Sequence, residues 1–178
     1  MPFSVDTARL LAESLVESFF RDSEGDWQSE RRYYTLKSGE TQEVVSQIQI
    51  RFLPVGHEDL IQLAQLHELR PEEALVCGAK VTWESDYVGT SKKPVEGSTV
   101  FGVRGSTLFR DRGFATSKPV TAHYFFRDPR TMHLRTEYQG SAFEEEIKLI
   151  GKQYRTRQTV ISRAGEEIMI GQYLEKRL

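Results

Sequence analysis

Val120-Thr121-Ala122-His123-Tyr124-Phe125-Phe126-Arg127, then Asp128-Pro129, then Met132-His133-Leu134-Arg135-Thr136-Glu137-Tyr138, then Gln139-Gly140, then Phe143-Glu144-Glu145-Glu146-Ile147-Lys148-Leu149-Ile150 is the stretch whose reading decides the fold. β-branched and aromatic residues fill the runs. The separators carry Gly and Pro, which tolerate positive φ or preset a turn, so the stretch reads as strands joined by hairpins. The same pattern continues downstream through Tyr154–Ser162 and Glu167–Leu174, punctuated by Gly151 and Ala164-Gly165. Upstream it includes Val76–Trp83, Ser98–Arg104 and Thr107–Arg110, separated at Gly105 and Arg112-Gly113. Trp27–Leu36 and Val44–Leu53 add two strands across Lys37-Ser38-Gly39-Glu40, and Ile48, Ile50 and Phe52 alternate as a half-buried strand requires.

About ten short antiparallel strands must curl, split or close, because open edges pair with other chains. An up-and-down barrel is the economical closure, and the uninterrupted hairpin spacing after residue 97 favours a meander over a Greek-key sandwich. The expected class is therefore all-β with two short helices. The first helix, roughly 5–21, has Leu10, Leu11, Leu15, Val16, Phe19 and Phe20 at helical spacing, Ser4 or Asp6 as N-cap and Gly25 beyond its end. The second spans Glu58 to Leu69, with Pro71 expected to stop it. Gly89–Gly97 reads as a mobile hairpin loop rather than a linker, so residues 1–178 read as one domain.

Composition narrows the function. The chain has 178 residues, long enough to bury a core without disulfides or metals. With 24 Lys+Arg against 26 Asp+Glu, its net charge of −2 supplies no global field for a phosphate backbone, so no nucleic acid is expected. Met1-Pro2-Phe3-Ser4 lacks a basic leader, and apolar runs fall short of the ~18–20 residues of a membrane span, so neither a secretory signal nor a membrane is expected. Cys77, the single cysteine, excludes an intramolecular disulfide and fits a reducing cytosol or stroma. Its apolar neighbours favour a small buried hydrophobe over a nucleophile. His57, His67, His123 and His133 are scattered without metal-ligand spacing, so no metal is expected. There is no Walker loop and no dinucleotide fingerprint.

A barrel of this size is a natural container for one small ligand. Arg155 and Arg157 are two residues apart on a strand and share a face, where two guanidinium forks could take two carboxylates bidentately. Pattern alone leaves open whether that face is the interior or a solvated outer wall. Of the adjacent Arg31 and Arg32, at most one points inside. Trp83 can stack on a flat conjugated ligand or simply pack in the core. Glu137, beside Arg135, and Glu144 in the triplet Glu144–Glu146 are possible acids; a solvated hairpin rim explains the triplet equally well.

Taken as a set, the motifs Trp27-Gln28-Ser29-Glu30-Arg31-Arg32, Val81-Thr82-Trp83, Gly97-Ser98-Thr99-Val100, Leu108-Phe109-Arg110-Asp111-Arg112-Gly113-Phe114, Thr136-Glu137-Tyr138, Glu144-Glu145 and Arg155-Thr156-Arg157 resemble those of the S-type, CpcS/CpeS-like, phycobiliprotein chromophore lyases from about residue 20 to 178. The resemblance implies a calycin barrel, similar to lipocalins and fatty-acid-binding proteins. It also implies non-covalent binding of a linear tetrapyrrole such as phycocyanobilin as substrate, with no permanently bound cofactor. Delivery would be to a cysteine of an apo-phycobiliprotein subunit, in a cyanobacterial cytosol or plastid stroma.

By the same resemblance Arg155 and Arg157 bind the bilin propionates, Trp83, Trp27, Arg31 and Tyr138 belong to the pocket, and Glu137 or Glu144 meets the pyrrole N–H groups. Tyr34 stands where many members have His, and Glu144–Lys148 replaces a typical Glu-Glu-Arg-Ile-Trp run. The alternatives are a non-catalytic bilin or fatty-acid carrier and an inactive subunit of a heteromeric lyase. The working form would be a monomer, a homodimer or a heterodimer with a related subunit.

Overall fold

The computed structural model describes residues 4–178; Met1-Pro2-Phe3, read above for the absence of a leader, lie outside the described residues. The order is α1 (Val5–Ser23), β1 (Gly25–Thr35), β2 (Thr41–Pro54), α2 (Glu58–Leu66), a 3-10 turn at Pro71–Glu73, β3 (Cys77–Tyr87), β4 (Val95–Arg104), β5 (Thr107–Arg110), β6 (Val120–Asp128), β7 (Thr131–Tyr138), β8 (Ser141–Ile150), β9 (Tyr154–Arg163) and β10 (Glu166–Arg177). Each strand pairs antiparallel with its neighbour in sequence, and β10 pairs with β1 to close the barrel. Closure satisfies every edge, as the hairpin spacing anticipated.

α1 begins where Ser4 accepts a hydrogen bond from the Thr7 N–H at 3.1 Å, so Ser4 rather than Asp6 is the cap. The helix lies across one end of the barrel, with Val16, Phe19 and Phe20 joining a core that includes Trp27, Cys77, Tyr124 and Met132. Phe19 meets Phe126 edge-on at 5.5 Å. The end of α1 is tied to the sheet where the Trp27 indole donates to the Ser23 carbonyl at 3.0 Å. Among the described residues, no helix is long and apolar enough to cross a membrane.

α2 ends three residues earlier than its apolar spacing predicts. The chain turns left-handed at Glu68, with φ of 55°, so the helix stops at Leu66 before Pro71 can act. Trp83 lies inside β3 rather than at its end, and Val95–Gly97, expected in a loop, already pair in β4. A longer hairpin satisfies those backbone groups in the ladder.

α2 rests on the outer wall. Leu60 and Leu63 pack with Leu53 and Leu75 in a second apolar cluster over β2–β4. Two glycines facing each other across β3 and β4, Gly78 and Gly102, make the close approach possible. A Cβ at Gly102 would stand 2.6 Å from Leu75 and 3.0 Å from Leu63; one at Gly78 would stand 2.6 Å from Leu60 and collide with the Phe101 carbonyl oxygen. Backbone cannot yield there as a flexible side chain can. Gly78→Ala is therefore expected to cost about 3 kcal/mol by urea unfolding, at the upper end of overpacking penalties. Substituting Thr for Ser at position 38, in an exposed turn, should leave the midpoint unchanged.

Candidate ligand-binding site

Alternation along the strands decides what faces the interior. On β9, Arg155, Arg157 and Thr159 point inward, opposite Glu175, Tyr173 and Gly171 of β10 and opposite Leu149, Ile147 and Glu145 of β8. All of these residues except Glu175 and Leu149 border an interior cavity of about 260 Å³, much of whose remaining wall is aromatic and aliphatic, with Phe19, Ile48, Val81, Trp83, Phe101 and Leu134 among the lining residues. Arg31, Arg110, Arg112, Arg155 and Arg157 line it too, against one lining carboxylate, Glu145. An apolar container with surplus cationic forks suits a flat apolar ligand carrying carboxylates.

The guanidinium groups differ in what they already hold. Arg155 Nη2 donates to Glu175 Oε2 at 2.9 Å, and both side chains are buried, 8% and 1% exposed. Arg157 donates through Nε to Glu145 at 2.9 Å and through Nη2 to the same oxygen. Burial alone would lower the Arg157 pKa, but the charge and hydrogen bond of Glu145 together with the charges of Tyr173 and Glu175 outweigh it, and the group is held above its ordinary value. Burial likewise raises the Tyr173 phenol, whose ring lies 5.4 Å from the Arg157 guanidinium and 5.3 Å from that of Arg31. Gly171 leaves space for that tyrosine, since a Cβ there would sit 2.9 Å from its hydroxyl.

Trp83 lines the cavity, as the stacking role requires. Its ring lies over Gly97 on β4, where a Cβ would meet it at 2.5 Å. Arg31 also lines the cavity, while Arg32 points outward and pairs with Glu43. Trp27 is wholly buried but does not border the cavity; its indole lies 5.2 Å from the Arg155 guanidinium and 4.3 Å from that of Arg177. Tyr138 also stands behind the lining. Its hydroxyl accepts from the Ala115 N–H at 2.7 Å, and its ring stacks on Phe143, which stacks on the lining residue Phe114.

Glu137 and Glu144 are on the outer wall. Both pair with Arg135, with side chains 61% and 57% exposed, because they alternate with the inward Thr136 and Phe143. They do not reach the interior. The carboxylate that lines the cavity is Glu145, 1% exposed and one residue along from the sequence-based choice. Its signal was present in the period-two series Phe143, Glu145, Ile147, Leu149, all on the inward face. Arg110, Tyr173 and Glu175 were also missed; Arg110 alternates with the buried Leu108 in β5, the same kind of cue.

Cys77 is fully buried and its thiol is pushed up to about 12, first by burial and then by the charges of Glu17 and Glu13. It is absent from the cavity lining. A second hollow, of about 490 Å³, lies over β1, β2, β9 and β10 and is formed largely by outward residues such as Glu30, Glu43, Gln158 and Gln172, though Arg31, Arg157 and Tyr173 border it as well as the interior cavity. It has no aromatic wall comparable with that of the interior.

The geometry has counterparts. A model of the CpeS-like protein family matches residues 15–178. A Nostoc sp. protein named as a candidate phycocyanobilin lyase, CpcS 2, is 59% identical over 170 residues, 96% of this chain and 94% of that protein. The chromophore lyase CpcS/CpeS of Thermosynechococcus vestitus is 31% identical, covering 84% of this chain and 85% of its own. The solved structure of an S-type phycobiliprotein lyase from Guillardia theta superposes with a TM-score of 0.77 at 22% identity, over 99% of this chain and 98% of that one, and so shares the barrel. With nearly its whole length matched, this chain belongs to the CpeS-like family.

Proposed function

We propose that this chain is a phycobiliprotein chromophore lyase, which binds a linear tetrapyrrole such as phycocyanobilin and attaches it through a thioether to a cysteine of an apo-phycobiliprotein subunit. One observation carries the reading: an interior cavity with an apolar, aromatic wall and five lining arginines. That lining complements a flat conjugated pigment bearing two propionates. The names of relatives at 59% and 31% identity support the reaction. In this reading it works in a cytosol or plastid stroma, which the cyanobacterial source of its relatives supports, with bilin as substrate rather than resident cofactor.

In this reading the barrel immobilises the pigment and excludes water, so that the partner's thiol meets ring A as an effectively intramolecular reactant. The S–C bond forms at the ethylidene carbon and the thiol proton ends on the pigment; nothing is oxidised or reduced. Glu145, held in place by Arg157, is the carboxylate available to pyrrole N–H groups, and Trp83 supplies a stacking face. Arg157, 23% exposed, is open to a propionate, whereas Arg155 is locked to Glu175.

Mixing the purified protein with phycocyanobilin and an apo-subunit, followed by denaturation in acidic urea, separates bound from bonded pigment. Attachment above the protein-free control is expected. A red-shifted complex without attachment would leave a carrier, or a lyase subunit lacking its partner, and an unchanged spectrum would sink the bilin reading. In the same assay Glu145→Gln is expected to slow attachment roughly 100-fold, the scale of a lost charge-stabilising group, while Glu137→Gln and Glu144→Gln leave the rate unchanged. Cys77→Ala should retain full attachment. Arg155→Met is expected to lose about 3–5 kcal/mol of stability by leaving Glu175 buried and unpaired, and Arg155→Met with Glu175→Gln should regain much of it in urea unfolding.

A further inference from the structure

Of the five arginines lining the cavity, two hold carboxylates, Arg155 holding Glu175 and Arg157 holding Glu145, while the half-buried Arg31 donates to Ser29 Oγ at 3.3 Å and Arg112 is exposed. Arg110 is different. Only 7% exposed, it makes no side-chain hydrogen bond and no ion pair among the described residues, and its Nε is buried without a partner. The adjacent carboxylate does not pair with it: Asp111 Oδ1 accepts instead from Thr99 Oγ1 at 2.7 Å and from the Val100 N–H at 3.1 Å. The guanidinium lies between two rings, 4.9 Å from Phe101 and 4.7 Å from Phe114, both of which line the cavity. Its backbone is pinned from outside, where the Arg110 carbonyl meets His67 Nε2 at 2.8 Å. Burial lowers the Arg110 pKa, although the Glu145 carboxylate, which makes no ion pair with it, opposes the shift.

A buried, unpaired guanidinium is costly to the empty protein, and its fork matches a carboxylate. We propose that Arg110 is the anchor for a ligand carboxylate, held at the end of a flat conjugated body that enters the barrel between Phe101 and Phe114. The proposal rests on the bilin reading and adds to it a third arginine, outside the Arg155-Thr156-Arg157 strand, whose buried charge gains a contacting counter-ion only when ligand binds. Arg155 then positions through the carboxylate it already holds, Arg157 stays open to the second propionate, and Arg110 sets the preference for the free acid.

Absorbance titration of the full chain and its Arg110→Met variant with phycocyanobilin and with its dimethyl ester tests this. Arg110→Met is expected to weaken binding of the free acid roughly 30-fold or more, the scale for removing one side of a buried charge pair, while both proteins bind the diester alike. The Tm of the ligand-free variant should equal or exceed that of the unsubstituted protein. Arg110→Lys, which keeps the charge without the fork, is the second variant, with a smaller loss confined to the acid. Equal affinity of all three proteins for the acid, or an equal loss for acid and diester with a lowered Tm, overturns the assignment and leaves the bilin reading standing. If the unsubstituted protein binds neither pigment form, the bilin reading fails instead, and Arg110 is judged with cis-parinaric acid and its methyl ester. An acid-selective loss there supports the anchor; its absence overturns it.

Discussion

Charge buried inside a closed barrel is costly unless it is matched, by a neighbouring strand or by a ligand, and this constraint organises the molecule. Arg155 and Glu175 sit directly opposite one another in the β9–β10 ladder, and Arg157 reaches Glu145 on β8. A slip of one residue in either ladder would send these groups to the outer wall and bring outward residues such as Gln158 or Glu144 inside. The ion pairs thus specify register while lining a cavity. Such pairs contribute little net stability against an apolar core, so their presence here is better accounted for by the ligand they face.

The rest of the fold supplies the conditions under which that charge matters. α1 lies across one end, bringing Phe19 and Phe20 to the cavity wall, and α2 covers β2–β4 over a pair of glycines. Trp27 and Tyr138 belong to this support. One lies beside the Arg155 guanidinium; the other holds the segment after β5 through Ala115 and the Phe143–Phe114 stack. Neither borders the cavity, yet each fixes a residue that does, the usual way in which a preorganised site depends on what stands behind it.

Much of the barrel was legible because its signals are local. Hairpin dipeptides such as Gln139-Gly140 and the alternation of Ile48 with Ile50 report strands without knowledge of their partners. The ends of α2 and β3 were less so, since a left-handed Glu68 and the pairing of Trp83 with Gly97 are properties of the packed chain. The site divided along the same line. Two arginines sharing a face could be read from spacing, but which face is inward depends on ladders closing around all ten strands. Glu144 was therefore chosen where its neighbour Glu145 is the one enclosed. Arg110 gave no sign of its isolation, because lacking a counter-ion is a fact about the surroundings rather than the residue.

The central claim is that the barrel interior, and not the hollow over β1, β2, β9 and β10, receives the pigment. A crystal structure of the protein with phycocyanobilin bound tests it most directly. The expected result is a pigment enclosed by the strands, stacked near Trp83, with one carboxylate against Arg110 and the Arg157–Glu145 pair beside its pyrrole nitrogens. Pigment lying on the outer wall among Glu30, Glu43 and Gln172, with the interior unchanged, would contradict it.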